Sequence, residues 1–559
     1  MGTCSIGRFD GVHSKRGNLL PLPDGIYNSI IINSSISSNC TIWNSGPISN
    51  YFIGRRVFIL NTGVLSCSPD SHFGNGLEIA IGNETGGRTI LSYADMTISA
   101  AYEIACNRTA VPSFKKFIDN YIETITIGYG IIEPDAVLIN CPRISDSYIC
   151  SGARCENITL LENATLLCST EEPAHVRNGA YLSNSCLQWG CDVDSMAIVD
   201  NAVLTEYSHV KRHGKVTNAI IGPNTAIAEG EVTSSLIGPF IGFHHQSLLI
   251  GALWPEGKGN VAYGANVGSN HTSKAPDQEI VCGEGMFFGL GSNIKFPADF
   301  SCAPYSIIAT GVTTLPQKMC FPFSLINTPS FSLETISPAI NELLPGWVLT
   351  DNLYALKRNE LKFQQRNKAH RSPSTFTIFR PDIVNLMLNA RDRLRDITVV
   401  KDYYFDSDIP GIGKNFVTRQ NIVRAVEIYS RHIEHYVLSG LLDQCTTRIG
   451  TGNDLNYSII LTASENTGLW EHQKSTGEKE GIFDCPIRDN LKRLLELISI
   501  TEHEVRLSKA KDDTRGRNIS DDYDSVHVTA ENDIFIKEFI SENNVIRDCI
   551  QESITHIAL

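Results

Sequence analysis

Histidine is the side chain best suited to take a proton from a hydroxyl or an amine near neutral pH. Three histidines crowd one stretch of this chain: His244 and His245 in Ile-Gly-Phe-His-His-Gln, and His271 in Asn-Val-Gly-Ser-Asn-His-Thr. His209 and His213 come shortly before them. The cluster lies beside a Gly/Pro/Asn-rich excursion from Trp254 to Glu279, and long excursions from a regular scaffold tend to carry function. His244, His245 and His271 are therefore the candidate general bases. Trp254 and Lys258, at the start of the excursion, are candidate substrate contacts. The competing reading is a set of surface histidines on turns.

Other chemistry is poorly served. Gly74-Asn-Gly and Gly86-Gly-Arg88 lack the Gly-Lys-Ser/Thr of a phosphate loop. No Cys-x-x-Cys occurs among the 16 cysteines, so no zinc site and no metal are expected. The thiols read as reduced, buried small hydrophobes. His432 and His435 share a helix without a glutamate in metalloprotease spacing and read as a solvated helix face.

The elements that must position these residues announce themselves by a period of six. Ile30, Ile36, Ile42 and Ile48 are followed, after a one-residue slip, by Ile53, Ile59 and Leu65. The beat returns at Ile132, Leu138, Ile144 and Cys150, at Ile198, Leu204, Val210 and Val216, and at Ile221 and Ile227. A last run is Cys282, Phe288, Ile294 and Phe300, with Val312 on phase. Six matches neither a helix nor a simple alternating strand. It suits a solenoid whose short strands each send one aliphatic side chain inward and end in a turn. The expected fold is mainly β, a left-handed parallel β-helix of hexapeptide repeats.

The beat lapses at residues 92–125, where Ile98, Ala101, Tyr102 and Ala105, then Phe114, Phe117, Ile118 and Tyr121, take helical spacing. An inserted helical segment is expected there. After Pro338 the helical period governs: Leu353–Phe363, Ile383–Leu394 behind Pro381, Ile422–Leu441 ending near Gly440, Leu491–Leu497 and Ile534–Ile550. Lys509–Asp524, highly charged, reads as a loop. Composition shifts with the pattern, since 33 of the 43 glycines precede residue 331. The expected organisation is 25–91 and 126–328 as β-helix, with 92–125 inserted, and 335–559 as an α-helical domain, meeting near Pro329–Pro338.

A net charge of −14 argues against a nucleic-acid partner and against a basic membrane anchor. No apolar run spans a bilayer, and Met1-Gly-Thr-Cys-Ser-Ile-Gly-Arg has no signal core, so the expected location is cytoplasmic.

Two resemblances follow. Gly259–Lys274, Cys282–Pro297 and Tyr305–Pro316 resemble the acetyltransferase half of the bifunctional N-acetylglucosamine-1-phosphate uridylyltransferases. That resemblance implies a homotrimer, acetyl-CoA as co-substrate and a sugar or sugar-nucleotide acceptor. It implies Asn270 and Lys274 as substrate contacts, His271 beside them, His244 or His245 as base, and Gly289 and Ala309 along the cofactor. His271 and Thr272-Ser273 depart from the family's Tyr and Asp-Gly. Separately, Asn83–Arg88, Trp254–Gly259 and Gly346–Tyr354 resemble a family of long β-helix proteins with an inserted helix and a helical C-terminal domain. The residues leave acyl transfer, a non-catalytic binding scaffold, and other sugar-nucleotide chemistry as the functional expectations.

Overall fold

The computed structural model describes residues 2–11, 21–268, 279–329, 337–450, 455, 457–461 and 468–557. Residues 1–301, 308–317 and 367–374 form one compact unit, and residues 302–307, 318–366 and 375–559 form a second. The division is interleaved, where a single cut near residues 329–338 was expected.

The first unit is a parallel β-solenoid. Ile36 pairs with Ile53, Ile42 with Ile59 and Ile48 with Leu65, and all six are buried. In the first coils corresponding positions lie 17 residues apart, two six-residue sides and one of five, while later coils depart from this, as at Ala226 and Gly242 or Leu160 and Tyr181. That shorter side is the slip in the beat. It also explains two misreadings of phase: Ile30 and Ile198 are exposed, and their neighbours Ile31 and Val199 are the residues in register with Ile48 and Val216. A continuous interior stack runs Leu138, Cys155, Val176, Val193, Val210, Ile227, Phe243, Val261 and Phe288. Full burial of each such aliphatic is worth roughly 1.5–3 kcal/mol. All 16 cysteines are free thiols. Cys141 and Cys155 sit inside the coil, where burial drives both thiols upward, Cys141 to about 12.

Corners are made by asparagine. Asn44, Asn61, Asn140 and Asn157 have φ of 48°, 49°, 51° and 54°, a left-handed turn that asparagine tolerates better than other side chains with a Cβ. Their amides form a ladder: Asn44 donates to Asn61 at 2.9 Å, Asn61 to Asn140 at 3.1 Å and Asn140 to Asn157 at 2.7 Å. At another corner the backbones nearly touch. A Cβ on Gly238 would lie 2.1 Å from the Pro255 carbonyl oxygen, so only glycine fits.

The insertion has a packing reason. Cys186, Val203, Ile220, Leu236 and Leu253 form an apolar column in register across five coils. Residues 79–105 cover it with Ile79, Ile90, Met96, Ile98, Ala101 and Ile104. Helix α1, Ile98–Cys106, starts at Thr97, whose hydroxyl accepts from Ala100 N, and α2 is Val111–Ile125. Both helices fall inside the expected segment.

The expected 254–279 excursion is mostly solenoid. Asn260–Val261 pairs with Gly242–Phe243, and Asn266–Val267 with Leu248–Leu249, so the glycines there serve coil corners. Residues 269–278 lie outside the described set.

The second unit carries α3 (Leu353–Arg366), α4 (Pro381–Arg395), α5 (Arg419–Gly450), α6 (Tyr457–Ile460), α7 (Gly468–Lys479), α8 (Ile487–Arg517), α9 (Tyr523–Val526) and α10 (Ile534–Ile557). Leu438 and Leu441 of α5, Trp470 of α7, Leu491, Leu494 and Leu497 of α8 and Ile550 of α10 form a core shared by those four helices. Gly440 does not end α5. It lies within the helix, where a Cβ would sit 2.3 Å from the Gln473 side chain, so glycine lets α7 approach. Lys509–Arg517 is helix, with Lys509 and Asp513 bridged at 2.7 Å one turn apart. His432 is buried with its ring stacked on Phe379 at 5.5 Å, and Nε2 lies 3.2 Å from the Leu349 carbonyl oxygen, which corrects the solvated-face reading. Among the described residues no helix is long and apolar enough to cross a membrane.

Candidate functional site

Each coil turns a corner after the strands that hold Val210, Ile227, Phe243, Val261 and Phe288. Along that corner Gln246 N donates to Glu229 O at 2.8 Å, Gly264 N to His245 O at 3.2 Å and Gly291 N to Tyr263 O at 2.9 Å. Glu229, His245, Tyr263 and Leu290 are thus successive rungs. His245, with φ of 48°, has its Nδ1 2.8 Å from Glu229 Oε2. A carboxylate there fixes Nδ1 as the protonated nitrogen and leaves Nε2 as the base, in a side chain 61% exposed. The Tyr263 ring stands edge-on 6.5 Å from His245, and the His244 ring lies 6.2 Å from it.

Beside this corner lies the outer face of the same strands. His209, Ala226, Gly242 and Asn260 are in register on consecutive coils, as are Lys211 and Ala228. At the usual strand spacing His209 and Asn260 stand about 14 Å apart. Ala226, Ala228 and Gly242 floor the interval. A Cβ on Gly242 would lie 3.2 Å from His244 Nε2 and 3.4 Å from Asn260 Oδ1, so imidazole and amide lean over the glycine. Burial, with the nearby Lys211 charge, pulls the His209 pKa down to about 4. Its imidazole is neutral at pH 7, and Nδ1 meets no hydrogen-bonding partner among the described residues. Lys211 Nζ and Arg177 Nη2 reach Asp192 Oδ2 at 2.6 and 2.9 Å. Burial alone would raise the Asp192 carboxyl, but these two cations outweigh it and hold it below the usual range.

The structure places four of the expected site residues, His244, His245, Gly289 and Ala309, at one corner. His244, Gly289 and Ala309 stack coil upon coil with Ala262 between the first two, Gly289 N donating to Ile308 O at 2.8 Å, and His245 follows His244 in the chain. A Cβ on Gly289 would lie 2.6 Å from the Ile308 carbonyl oxygen, so its immediate reason for being glycine is close stacking. Two others are elsewhere. Trp254 continues the interior stack Ile221, Ile237, Trp254 and meets Phe288 edge-to-face at 5.6 Å; being fully buried, it presents no surface to a ligand. Lys258 is 3% exposed and paired at 2.7 Å with Glu284, itself 3% exposed, so its ammonium is committed inside. Asn270, His271 and Lys274 lie outside the described residues. Glu229, Asn260 and Tyr263 were missed, although Glu229 precedes His245 by 16 residues, about one coil. Among the described residues no group of three or more His, Cys, Asp or Glu side chains could hold a metal ion.

Fold and site together define a parallel β-solenoid protein with a helical cover over one face and a histidine–carboxylate pair on one corner. Residues 1–398 match the family model described as "Domain of unknown function (DUF4954)", and the chain belongs to that family. A protein of Treponema pallidum (strain Nichols), described as uncharacterized, is 30% identical over 387 residues, 66% of this chain and 52% of its own length. The chain thus spans about half the length of that relative. Neither description names an activity.

Proposed function

We propose that the solenoid corner catalyses acyl transfer, with acetyl-CoA as donor and a sugar or sugar-nucleotide as acceptor. The observation that carries the reading is the His245–Glu229 pair, a base oriented by a carboxylate with its free nitrogen toward solvent. Nε2 of His245 takes the proton from the acceptor hydroxyl or amine as that atom attacks the thioester carbonyl carbon. The new bond to the acceptor forms, the C–S bond breaks, and the imidazolium returns its proton to the departing thiolate. Glu229 steadies the imidazolium during the interval. Ala262, Gly289 and Ala309 line the same corner without bulky side chains, which suits an extended donor.

Calorimetry of the full chain with acetyl-CoA, followed by thiol release with candidate acceptors, tests the reading. Binding is expected, and His245→Ala should slow turnover by about 10²–10⁴-fold with donor binding retained. No heat of binding at millimolar acetyl-CoA would refute it.

A further inference from the structure

A second corner of the same unit is occupied by a piece of the chain itself. Glu172, Trp189, Glu206 with Tyr207, and Asn224 fall on four successive coils, tied by Gly190 N to Glu172 O, Tyr207 N to Trp189 O and Asn224 N to Glu206 O. Across them lies Asn367–Ser374, more than 140 residues later in sequence. The carboxylate of Glu206 is fully buried and accepts from the backbone N–H groups of His370, Arg371 and Ser372 at 3.0–3.1 Å. Three consecutive N–H groups around one carboxylate form an anion nest. The Arg371 guanidinium adds bonds to Glu206 at 2.9 Å and to Glu172 at 2.6 Å, while stacking 3.9 Å above the Trp189 ring. Lys368 Nζ stands 5.8 Å over the Tyr207 ring, whose hydroxyl donates to Glu172 at 2.7 Å. The Asn224 side chain both donates to Asn367 Oδ1 at 2.8 Å and accepts from Lys368 N at 3.2 Å.

Apart from the three backbone rungs and the Tyr207–Glu172 bond, which join coil to coil, every one of these contacts is between a solenoid side chain and the backbone or side chain of the 367–374 segment. Of residues 367–374 only Ala369 is buried, so the segment is held by polar and cation–π contacts at the surface. Two carboxylates, two aromatic rings and an amide, spaced over four coils, are the parts of a site that reads a backbone and two cationic side chains. The chain's net charge of −14 favours a basic partner.

We propose that this corner is a recognition groove for an extended basic peptide with lysine and arginine three residues apart, and that residues 367–374 are its occupant in cis. The tethered segment competes with any such peptide at the high effective concentration of an intramolecular ligand.

The test uses the full chain carrying Lys368→Ala with Arg371→Ala, which weakens the cis occupant and leaves the groove intact. A fluorescent peptide Asn-Lys-Ala-His-Arg-Ser-Pro-Ser is titrated and followed by anisotropy. The double variant should bind it about ten-fold more tightly than the unaltered chain, since the competitor is weakened. Binding should vanish when Glu172→Ala and Glu206→Gln are added, or when the peptide's Lys and Arg are replaced by Ala. No binding to a folded double variant at millimolar peptide overturns the proposal, as does equal binding of the alanine peptide. Should the double variant fail to fold, hydrogen exchange on the unaltered chain decides. Amides of His370, Arg371 and Ser372 that exchange faster than those of residues 198–204 support a displaceable occupant. Equal protection makes the segment a fixed part of the wall and overturns it.

Discussion

Replacing Asn61 separates the two things the asparagine ladder does. Asn61 holds a left-handed φ of 49° and links Asn44 to Asn140 through one accepted and one donated amide bond. Asn61→Ala loses both bonds, about 1 kcal/mol each for exposed amides. It also places a Cβ without a compensating polar group in the left-handed region, at roughly 1–2 kcal/mol. The expected cost is about 3–4 kcal/mol in all. Asn61→Asp keeps the turn and the accepted bond but cannot donate, so at pH 7 it should cost only about 1 kcal/mol. The chain already uses aspartate in this way at ladder ends, where Asn178 donates to Asp194 and Asn184 to Asp200. Because only the protonated carboxyl can donate to Asn140, the pKa of the introduced carboxyl rises on folding. The penalty is therefore full above that raised pKa, shrinks as pH falls through it, and has gone once pH is below the ordinary carboxyl value of about 4. Urea denaturation, with hydrogen exchange at Thr41–Trp43 and Val137–Ile139 as the local readout, measures both variants. Equal losses for Ala and Asp, or a gap for Asp that does not narrow in acid, would refute the ladder as the source of corner order.

Three further outcomes follow from buried groups. His209, neutral when folded with a pKa of about 4 against the usual 6.5, binds its proton only when unfolded between those values, so stability is full above pH 6.5 and falls as pH drops through 4. The loss is up to about 3 kcal/mol, and His209→Asn should flatten the melting temperature against pH over that window. Lys258→Met alone removes the ammonium paired with the buried Glu284 carboxylate and should cost about 3–5 kcal/mol, whereas Lys258→Met with Glu284→Leu should cost much less by denaturant titration; equal losses would rule out the ion pair as the cause. Gly238→Ala drives a Cβ against a backbone oxygen that cannot step aside and should cost about 3 kcal/mol or more, while Gly264→Ala, open around its Cβ, should cost only its left-handed φ, about 1–2 kcal/mol.

The coil was legible because every turn of a solenoid must present an aliphatic to the same interior, so Ile36, Ile42 and Ile48 repeat a physical demand. The phase at Ile30 and Ile198 was lost because five-residue and six-residue sides look alike until pairing is known. The glycine content of 254–268 suggests a loop, yet Val261 and Val267 keep the beat, and Gly259 is small because a Cβ there would lie 2.1 Å from the Trp254 ring. His244 and His245 stood out by type. Glu229 could have been found one coil earlier, once 16 or 17 residues is known as the coil length. Nothing local marks Glu206 and Arg371 as partners, 165 residues apart, because their meeting depends on where the chain returns.

A solenoid ordinarily comes apart like a zipper, each coil answering only to its neighbours. The apolar column from Cys186 to Leu253 changes that rule for five coils, because residues 79–105 lie across all of them as a splint. Opening any one of those coils means lifting the splint from the rest, so this stretch breathes as a single block. The corner that holds Glu229 and His245 falls within that splinted stretch.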